Sequence, residues 1–274
     1  MTTVAKDFQV TTGANHARVM RVARILRATV RLAALCAATA FACVVLFAGL
    51  PFASLSRRAS RRWRAFLFRT WARTAALIIG MKSNTRGHAP KPPFLLVANH
   101  LSYVDVVALA ARADCVFVAK SEVAGWPVVG RLCRVAKTIF VNRRSRREIP
   151  AALSLVERAL DERAGVVLFA EGTSTRGTSV RPFKSPLLEA AARRAMPVHY
   201  ASLSYRTQAG EPSARNAVCW SGDMTFPKHF FELLQMKGFC ADISFGEGAL
   251  RSVDRKALAC ELWAAVSARF VPVA

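Results

Sequence analysis

Three short polar clusters, each directly after an apolar run, carry the residue types that acid–base and phosphate chemistry need. The first is Asn99-His100-Leu101-Ser102-Tyr103-Val104-Asp105, which follows the run 94–98. A histidine held by a carboxylate is a general base, because the carboxylate fixes the tautomer and stabilises the imidazolium that forms. Five residues along a regular helix would not bring His100 and Asp105 together, so we expect His100 in a loop and Asp105 in the following helix. The alternative is a capping box, in which Ser102 and Asp105 serve only the helix N-terminus.

The second cluster places two cations at strand ends. Arg143 follows Phe140-Val141-Asn142, and Lys120 closes the run 116–119. The guanidinium of arginine binds phosphate bidentately, and a strand end holds it rigidly. We therefore expect Lys120 and Arg143 to contact an anionic substrate, with a solvated surface role for the arginine as the alternative in so basic a chain.

The third cluster is Glu171-Gly172-Thr173, after the run 166–170, with Arg176 three positions on. Such a turn can hold a phosphate or a hydroxyl with its backbone N–H groups and side chains, although an ordinary turn has the same composition. The chain has no Gly-x-Ser-x-Gly sequence that would supply a nucleophilic serine. The proton taken by His100 would then come from a substrate hydroxyl.

Short apolar runs alternate with longer amphipathic segments, which is typical of a parallel sheet with crossover helices. The predicted strands are 94–98, 116–119, 139–142, 166–170, 198–204, 217–221 and 239–245. The predicted helices are 103–112, 121–134, 147–163, 185–194, 228–236 and 254–270. Since reactive residues of open α/β sheets lie just past the carboxyl ends of strands, the three clusters fall where a site would be. The predicted fold class is α/β, with a mixed, largely parallel sheet flanked by helices.

An N-terminal membrane attachment is expected. The run 32–55 is uncharged and exceeds the ~20 residues that cross a bilayer core. Arginines crowd both of its ends, which favours an anionic lipid surface and leaves a single span and a re-entrant hairpin both open. The segment 65–81 predicts an interfacial amphipathic helix, with a core helix as the alternative. A Pro- and Gly-rich stretch, 87–93, then separates a basic N-terminal region (1–86) from a catalytic domain (87–274).

The net charge of +23 demands an anionic partner. A nucleic-acid-binding protein would interleave aromatic and basic residues along one face. Here the arginines concentrate beside the apolar run and at strand ends, so we expect no nucleic-acid partner. The seven cysteines form no C-x-x-C pair, which favours reduced thiols in a cytosol-facing protein and no metal site.

In this order and spacing, the clusters resemble the glycerolipid acyltransferase family typified by bacterial 1-acylglycerol-3-phosphate acyltransferase. The first matches the family's Asn-His-x-x-x-x-Asp motif, the third matches its Glu-Gly-Thr motif, and Met196-Pro197-Val198 resembles a fourth. The resemblance covers about 94–205. It implies His100 as the base and Asp105 as its orienting partner. It also implies substrate contacts from Asn99, Lys120, Arg143, Glu171, Gly172, Thr173 and Arg176.

The resemblance implies acyl transfer from acyl-CoA or acyl carrier protein to a lysolipid hydroxyl, without a cofactor or metal, at the cytoplasmic face of a bacterial inner membrane. 1-Acylglycerol-3-phosphate, giving phosphatidate, is the family's usual acceptor. However, Ser174 stands where the family has an arginine after Thr173, with Arg176 or Arg181 as replacements, and 220–224 resembles the lyso-ornithine lipid acyltransferases. Their acceptor carries no phosphate, so both acceptors stay open. A hydrolase or a non-catalytic lipid-binding relative is the remaining alternative.

Overall fold

In the computed structural model, which describes residues 2–53, 56–142, 145–222 and 224–274, the described residues form a seven-stranded sheet between helices. The strands are β1 (Met81–Arg86), β2 (Phe94–Ala98), β3 (Cys115–Lys120), β4 (Ile139–Val141), β5 (Gly165–Phe169), β6 (Val198–Thr207) and β7 (Phe239–Phe245). They lie in the order β1-β7-β6-β2-β5-β3-β4. β6 and β7 pair antiparallel, while the other neighbours pair parallel. The predicted mixed, largely parallel α/β sheet is confirmed.

Helices cover both faces of this sheet. They are α1 (Thr2–Ala53), α2 (Arg57–Ile78), α3 (Val104–Ala110), α4 (Ser121–Ala124), α5 (Val129–Val135), α6 (Ile149–Asp161), α7 (Glu189–Ala192), α8 (Ala214–Ala217), α9 (Phe226–Gln235) and α10 (Arg255–Ser267). Apolar side chains of one face pack against α2, α3 and α9, and those of the other pack against α6, α7 and α10. Because both faces are covered, β2 is buried along its whole length, which explains its unbroken apolar sequence.

One strand prediction fails, and one strand was not predicted. The segment 217–221 is not a strand, because the N–H groups of Val218 and Cys219 bond back to Ala214 and that of Trp220 donates to the Leu101 carbonyl. Its apolar residues are buried under the sheet without joining it. Conversely, β1 carries no apolar alternation because it is an edge strand with only Met81 buried.

The helix predicted over 121–134 is broken into α4 and α5. Pro127 lies between them and has no N–H to continue the helix, and Val128 takes a positive φ of 63°. The helix predicted over 185–194 is likewise shorter, a 3₁₀ turn at Pro186–Leu188 that leads into α7. The remaining predicted helices correspond to α3, α6, α9 and α10.

The N-terminal region forms a helical hairpin. Arg18–Phe52, within α1, is long and apolar enough to cross a membrane, and it contains an 18-residue stretch with a mean hydropathy of 2.3, little of which is buried. The end of the predicted run, 54–55, lies outside the described residues. The Trp71 Nε1 atom donates to Thr39 Oγ1 at 3.0 Å and the Trp63 Nε1 atom donates to the Leu46 carbonyl at 3.4 Å, so α2 runs antiparallel to α1.

The helix α2 combines the two roles that the sequence left open. It begins earlier than predicted, at Arg57, and ends at Ile78, because Met81 enters β1. Ala72 and Ala76 lie in the core of the domain, while Phe66 and Leu77 are exposed. One face of α2 therefore packs in the core of the domain and the other is exposed. The predicted position of α2 at a membrane interface stays a prediction.

Two arginines of α1 fasten that helix to the domain. Arg31 donates to the carbonyls of Leu234, Met236 and Lys237, and Arg27 donates to the carbonyl of Gln235 at 2.8 Å. Cations at a helix C-terminus complement its dipole and its unpaired carbonyls. Sequence reasoning assigned these two arginines to the lipid surface, and the structure places them on the end of α9 instead. β1 belongs to the sheet although it precedes residue 87. The predicted boundary at that residue, between an N-terminal region and a catalytic domain, stays a prediction.

Candidate active site

The sheet brings the first and third polar clusters side by side. β2 lies between β5 and β6, and Ala98 is in register with Phe169 of β5 and with Ala201 of β6. The carboxyl ends of β2 and β5 therefore meet, and the loop that starts at Asn99 lies against the turn that follows Phe169. This is the place where parallel sheets hold reactive groups.

His100 and Asp105 form a hydrogen-bonded pair in this loop. The His100 Nδ1 atom lies 2.7 Å from the Asp105 Oδ2 atom, with the histidine side chain 20% exposed and the aspartate fully buried. A carboxylate can only accept, so Nδ1 carries the proton of the neutral ring. The Nε2 atom bonds to no described residue, and His100 lines a cavity. The arrangement leaves one basic nitrogen for a substrate proton.

Asp105 also caps the helix α3. Its Oδ2 atom accepts from the backbone N–H groups of Leu101 at 2.7 Å and Ser102 at 3.0 Å. The second bond is one half of a capping box. The other half is missing, because the Ser102 hydroxyl is buried without a partner among the described residues. The capping role and the histidine-orienting role suggested by the sequence are both present in the same carboxylate.

The backbone and ring of His100 are fixed by β5 and its turn. The imidazole stacks on Phe169 with ring centroids 4.2 Å apart and an interplanar angle of 15°. The His100 carbonyl accepts from the Thr175 N–H at 3.0 Å and from the Thr175 hydroxyl at 3.4 Å. The ring is therefore held against rotation before any substrate arrives.

Asn99 ties the loop after β2 to the neighbouring strand β6. The side chain is fully buried, its Nδ2 atom donates to the Leu203 carbonyl at 2.9 Å, and its Oδ1 atom accepts from the Leu203 N–H at 2.7 Å. The amide thus continues the pairing of β2 with β6 beyond the last residue of β2. Both of its polar atoms are bonded to backbone, which gives Asn99 a positioning role, and its predicted contact with a substrate stays a prediction.

Glu171 likewise serves the loop. Its Oε1 atom accepts from the His100 N–H at 2.7 Å and its Oε2 atom accepts from the Arg181 N–H at 3.0 Å, with the residue 3% exposed. Burial raises the pKa of Glu171 to about 7 against the lowering effect of these two bonds. With one backbone donor on each oxygen, Glu171 has a positioning role in the turn, and its predicted contact with a substrate stays a prediction.

Gly172 and Thr173 divide the remaining roles of the turn. Gly172 has φ of +78°, and a Cβ there would lie 2.9 Å from the Lys184 Nζ atom, so the lysine side chain lies over the glycine. The Gly172 N–H donates to the Phe169 carbonyl at 3.2 Å. Thr173 and Ser174 line the same cavity as His100. In this turn, the residues that line the cavity are therefore the two that carry a hydroxyl group.

The predicted cations have different positions. Lys120 is exposed at the end of β3 and lines the cavity, while Arg176 is exposed on the turn and does not line it. Arg143 lies outside the described residues. Lys184 is a further cation close to the motif. Within the described ranges, no three His, Cys, Asp or Glu side chains are grouped as a metal site would require.

An apolar cavity of about 950 Å³ opens beside His100. Its walls come from α1, α2, α3 and α5 and from β3, which runs along it from Cys115 to Lys120. The opposite end contains Arg61 and Asp114, joined by an ion pair of 3.4 Å. A long apolar space with polar groups at both ends fits a chain-like apolar ligand whose reactive end meets His100.

Sequence reasoning missed three side chains around the pair. The Tyr205 hydroxyl donates to Asp105 Oδ1 at 2.6 Å. The Tyr103 hydroxyl bonds His229 Nδ1 at 2.9 Å, and His229 Nε2 donates to the Cys219 carbonyl at 3.1 Å. Burial lowers the pKa of His229, which keeps that ring neutral. Tyr103 lies inside the first motif, whereas Tyr205 and His229 lie in ordinary apolar segments that carry no local signal.

Comparisons with known proteins show which family the chain is similar to. Residues 81–204 match a family model described as Acyltransferase. The chain is 35% identical over 199 residues to the lyso-ornithine lipid O-acyltransferase of Rhizobium meliloti, covering 68% of this chain and 67% of that one. It is 34% identical over 223 residues to the Brucella abortus protein of the same name, covering 77% and 84%.

Two further matches carry another name. The chain is 32% identical over 188 residues to the 1-acyl-sn-glycerol-3-phosphate acyltransferase of Neisseria gonorrhoeae, covering 67% of this chain and 72% of that one. The crystal structure of the 1-acyl-sn-glycerophosphate acyltransferase PlsC from Thermotoga maritima matches with a TM-score of 0.62 and 18% identity, covering 89% and 95%. At that identity the structural match shows a shared fold.

Replacing Glu171 with Gln should change how stability depends on pH. The pKa of Glu171 is about 7 in the folded state and ~4.3 in the unfolded state. The protonated carboxyl group therefore stabilises the fold, fully so below the unfolded pKa, and this stabilisation is lost as the pH rises through about 7. The melting temperature of Glu171→Gln relative to the wild type should therefore rise between about pH 5 and about pH 8. Thermal unfolding in detergent measures it. The exposed control Glu247→Gln should keep a constant difference, and a constant difference for Glu171→Gln would contradict the assignment.

Proposed function

This chain belongs to the Acyltransferase family, and from that premise we propose how its site works. The protein is an O-acyltransferase that acylates a lysolipid in phospholipid biosynthesis. The observation that carries the proposed mechanism is the His100–Asp105 pair. His100 lines an apolar cavity, and its Nε2 atom bonds to no described residue.

In the proposed reaction His100 Nε2 removes the proton of the acceptor hydroxyl. The hydroxyl oxygen attacks the thioester carbonyl carbon, and the C–O bond forms as the carbonyl π electrons move to oxygen. Collapse of the tetrahedral intermediate breaks the C–S bond, and the His100 imidazolium returns the proton to the leaving thiolate. Asp105 stabilises the imidazolium through the 2.7 Å bond to Nδ1. No acyl-enzyme forms.

The tetrahedral oxyanion needs hydrogen-bond donors. The Gly172 N–H is occupied by the Phe169 carbonyl, so it is not available. Thr173 and Ser174 line the cavity beside His100. We assign the oxyanion to these two residues, because their hydroxyl and backbone N–H groups are the nearest donors of the turn to the substrate space.

The acyl chain of the donor fits the apolar cavity, with its carbonyl at His100 and its methyl end toward Arg61 and Asp114. Burial of the chain among apolar side chains supplies binding energy in proportion to its length. The ion pair of Arg61 and Asp114 closes the far end with charge, which a longer chain would have to displace. The cavity therefore selects chain length.

The thioester carrier is acyl-CoA or acyl carrier protein. Both are anionic, and both suit a chain of net charge +23. Lys120 at the mouth of the cavity is the cation best placed to meet the carrier or the acceptor.

For the acceptor we propose a lysolipid hydroxyl, with 1-acylglycerol-3-phosphate as the first candidate. The supporting observation is the set of cations on this side of the sheet. Lys120 lines the cavity, and Lys184 lies over Gly172. Arg143 is expected to join them on the sequence motif.

Lyso-ornithine lipid is the second candidate, and two observations favour it. Ser174 occupies the position of the family arginine and lines the cavity, which removes a phosphate ligand. The relatives from Rhizobium meliloti and Brucella abortus carry that name.

We place the active site at the cytoplasmic face of a bacterial inner membrane, against an anionic lipid surface. Arg18, Arg21 and Arg24 are exposed on α1 among exposed apolar residues such as Val22 and Leu26. Mixed basic and apolar exposure of this kind is what anionic headgroups and acyl chains bind.

Replacing His100 with Ala should abolish transfer. A positioned general base contributes ~10²–10⁴-fold, so acylation of the lysolipid should fall by about that factor while the melting temperature changes little. Mass spectrometry of the acylated lipid measures it. His88→Ala, at an exposed histidine, is the matched control. Full activity of His100→Ala would leave Asp105 with its capping role alone.

The acceptor is decided by a panel with purified enzyme. Lysophosphatidate and lyso-ornithine lipid are supplied separately with the same thioester, and the products are identified by mass spectrometry. Preference for lysophosphatidate should be accompanied by a higher KM in Lys184→Met and Arg143→Ala, because both cations would bind phosphate. Preference for lyso-ornithine lipid, with no effect of those variants on its KM, would replace the first candidate with the second.

Replacing Ala65 with Phe should shift the donor preference to shorter chains. Ala65 lines the cavity one turn from Arg61, and the larger ring would occupy its far end. Relative rates with donors of increasing chain length measure the shift. Thr70→Phe, on the exposed face of the same helix, is the control. An unchanged chain-length profile in Ala65→Phe would place the acyl chain elsewhere.

A further inference from the structure

The carboxylate of Asp105 divides its two oxygens between different tasks. Oδ2 accepts from His100 Nδ1 and from two backbone N–H groups of the loop. Oδ1 accepts from the Tyr205 hydroxyl at 2.6 Å. Asp105 and Tyr205 are both fully buried, so no bulk water reaches this bond.

Tyr205 is held by parts of the sheet that do not belong to the loop. It lies in β6 and is paired with Ala241 of β7 in the antiparallel register. Its ring packs edge-on against Phe239 with centroids 6.0 Å apart. Two residues earlier, the backbone of Leu203 is tied to Asn99 by the bonds described above. The hydroxyl is thus a fixed point of the sheet to which a loop carboxylate is bound.

We propose that Tyr205 is a positioning residue for the His100–Asp105 pair: the acceptor hydroxyl, His100, Asp105 and Tyr205 form a chain of hydrogen bonds, in which only the hydroxyl proton is transferred, to His100. This inference rests on the proposed role of His100 as the base. Tyr205 touches neither substrate nor the reacting atoms. It acts by setting the plane and the charge distribution of the carboxylate.

The geometric effect follows from the number of donors on each oxygen. With the hydroxyl in place, rotation of the carboxylate about its Cβ–Cγ bond would break a short buried bond, so Oδ2 stays directed at His100. Without the hydroxyl, Oδ1 is a buried charged atom that has lost its donor, and burial of an unpaired charge is unfavourable. The carboxylate can then relieve that state by turning, so that the plane of its bond to Nδ1, and with it the direction of Nε2, is no longer fixed.

The electrostatic effect has a definite sign. A donor on Oδ1 withdraws negative charge from the carboxylate and lessens its ability to stabilise the His100 imidazolium. Removing that donor should therefore favour the imidazolium form of His100, and strengthening it should favour the neutral ring. The titratable and charged groups that interact with Asp105, Tyr205 or Glu171 are Cys219 from the segment after α8, Tyr103 from the loop after β2 and Arg181 from the segment after β5.

The test compares Tyr205→Phe with Tyr200→Phe in the full chain. Tyr200 lies in the same strand, is also buried, and packs under the Arg269 guanidinium, away from the pair. Transfer activity is measured from about pH 5 to about pH 9 with saturating donor and varied lysolipid. In Tyr205→Phe we expect kcat/KM to fall about ten-fold with little change in KM. The acid limb of the kcat/KM profile should move to higher pH by about half a unit or more. Tyr200→Phe should match the wild type.

A second variant guards against a folding defect. Site-specific 3,5-difluorotyrosine at position 205 keeps the ring and the hydroxyl but makes the phenol a stronger donor. The acid limb should then move to lower pH, opposite to the shift in Tyr205→Phe.

An acid limb at the same pH in the wild type, in folded Tyr205→Phe and in the fluorinated protein would overturn the proposal and leave Tyr205 a packing residue. If Tyr205→Phe does not fold, the direction of shift in the fluorinated protein decides alone. Failure of the proposed function is distinguishable, because the wild type and Tyr200→Phe would then show no lysolipid acylation at any pH.

Discussion

A carboxylate without contact to water must be compensated by donors, and the buried charge of Asp105 organises the catalytic end of this sheet. Three of its four donors, His100 Nδ1 and the N–H groups of Leu101 and Ser102, come from the loop after β2, and the fourth, the Tyr205 hydroxyl, comes from β6. The loop donors are fixed by the backbone that leads into α3, and the hydroxyl is fixed by its strand. Because burial of the charge is unfavourable without these donors, the loop is restricted to the conformation that supplies them. In that conformation the imidazole of His100 presents its unbonded nitrogen beside the cavity.

The loop itself is secured to both neighbouring strands by polar side chains. Glu171 accepts the His100 N–H from the β5 side, and Asn99 binds both polar atoms of the Leu203 backbone on the β6 side. Phe169 supplies a flat surface for the imidazole. The residues of two sequence motifs therefore act largely on each other, while His100, Thr173 and Ser174 line the cavity together with its apolar walls. In a similar way, Arg27 and Arg31 of α1 bind the end of α9 and so fix one wall of the cavity to the domain.

The sequence pattern correctly predicted features that depend on residues close together in the chain. An unbroken apolar run such as β2 is buried on both faces, so its sequence alone indicated a central strand, and the pair of His100 and Asp105 followed from loop and helix spacing. The failures have long-range causes. β1 is polar because it is an edge strand, and its place in the sheet depends on β7, more than 150 residues away. The roles of Asn99 and Glu171 depend on partners 104 and 71 residues away, which no local pattern contains. Tyr205 was missed for the same reason, since its hydroxyl meets Asp105 across 100 residues.

The central claim is that His100 activates a lysolipid hydroxyl instead of water, and it is tested most directly by following both products of one reaction. Thioester consumption and lysolipid acylation are measured together, with the purified full-length protein, in the presence and absence of the acceptor. The account predicts that thioester is consumed only when lysolipid is present and that one acylated lipid forms for each thiol released. Thioester consumption at the same rate without lysolipid, or thiol release without acylated lipid, would contradict it and identify a hydrolase on the same fold.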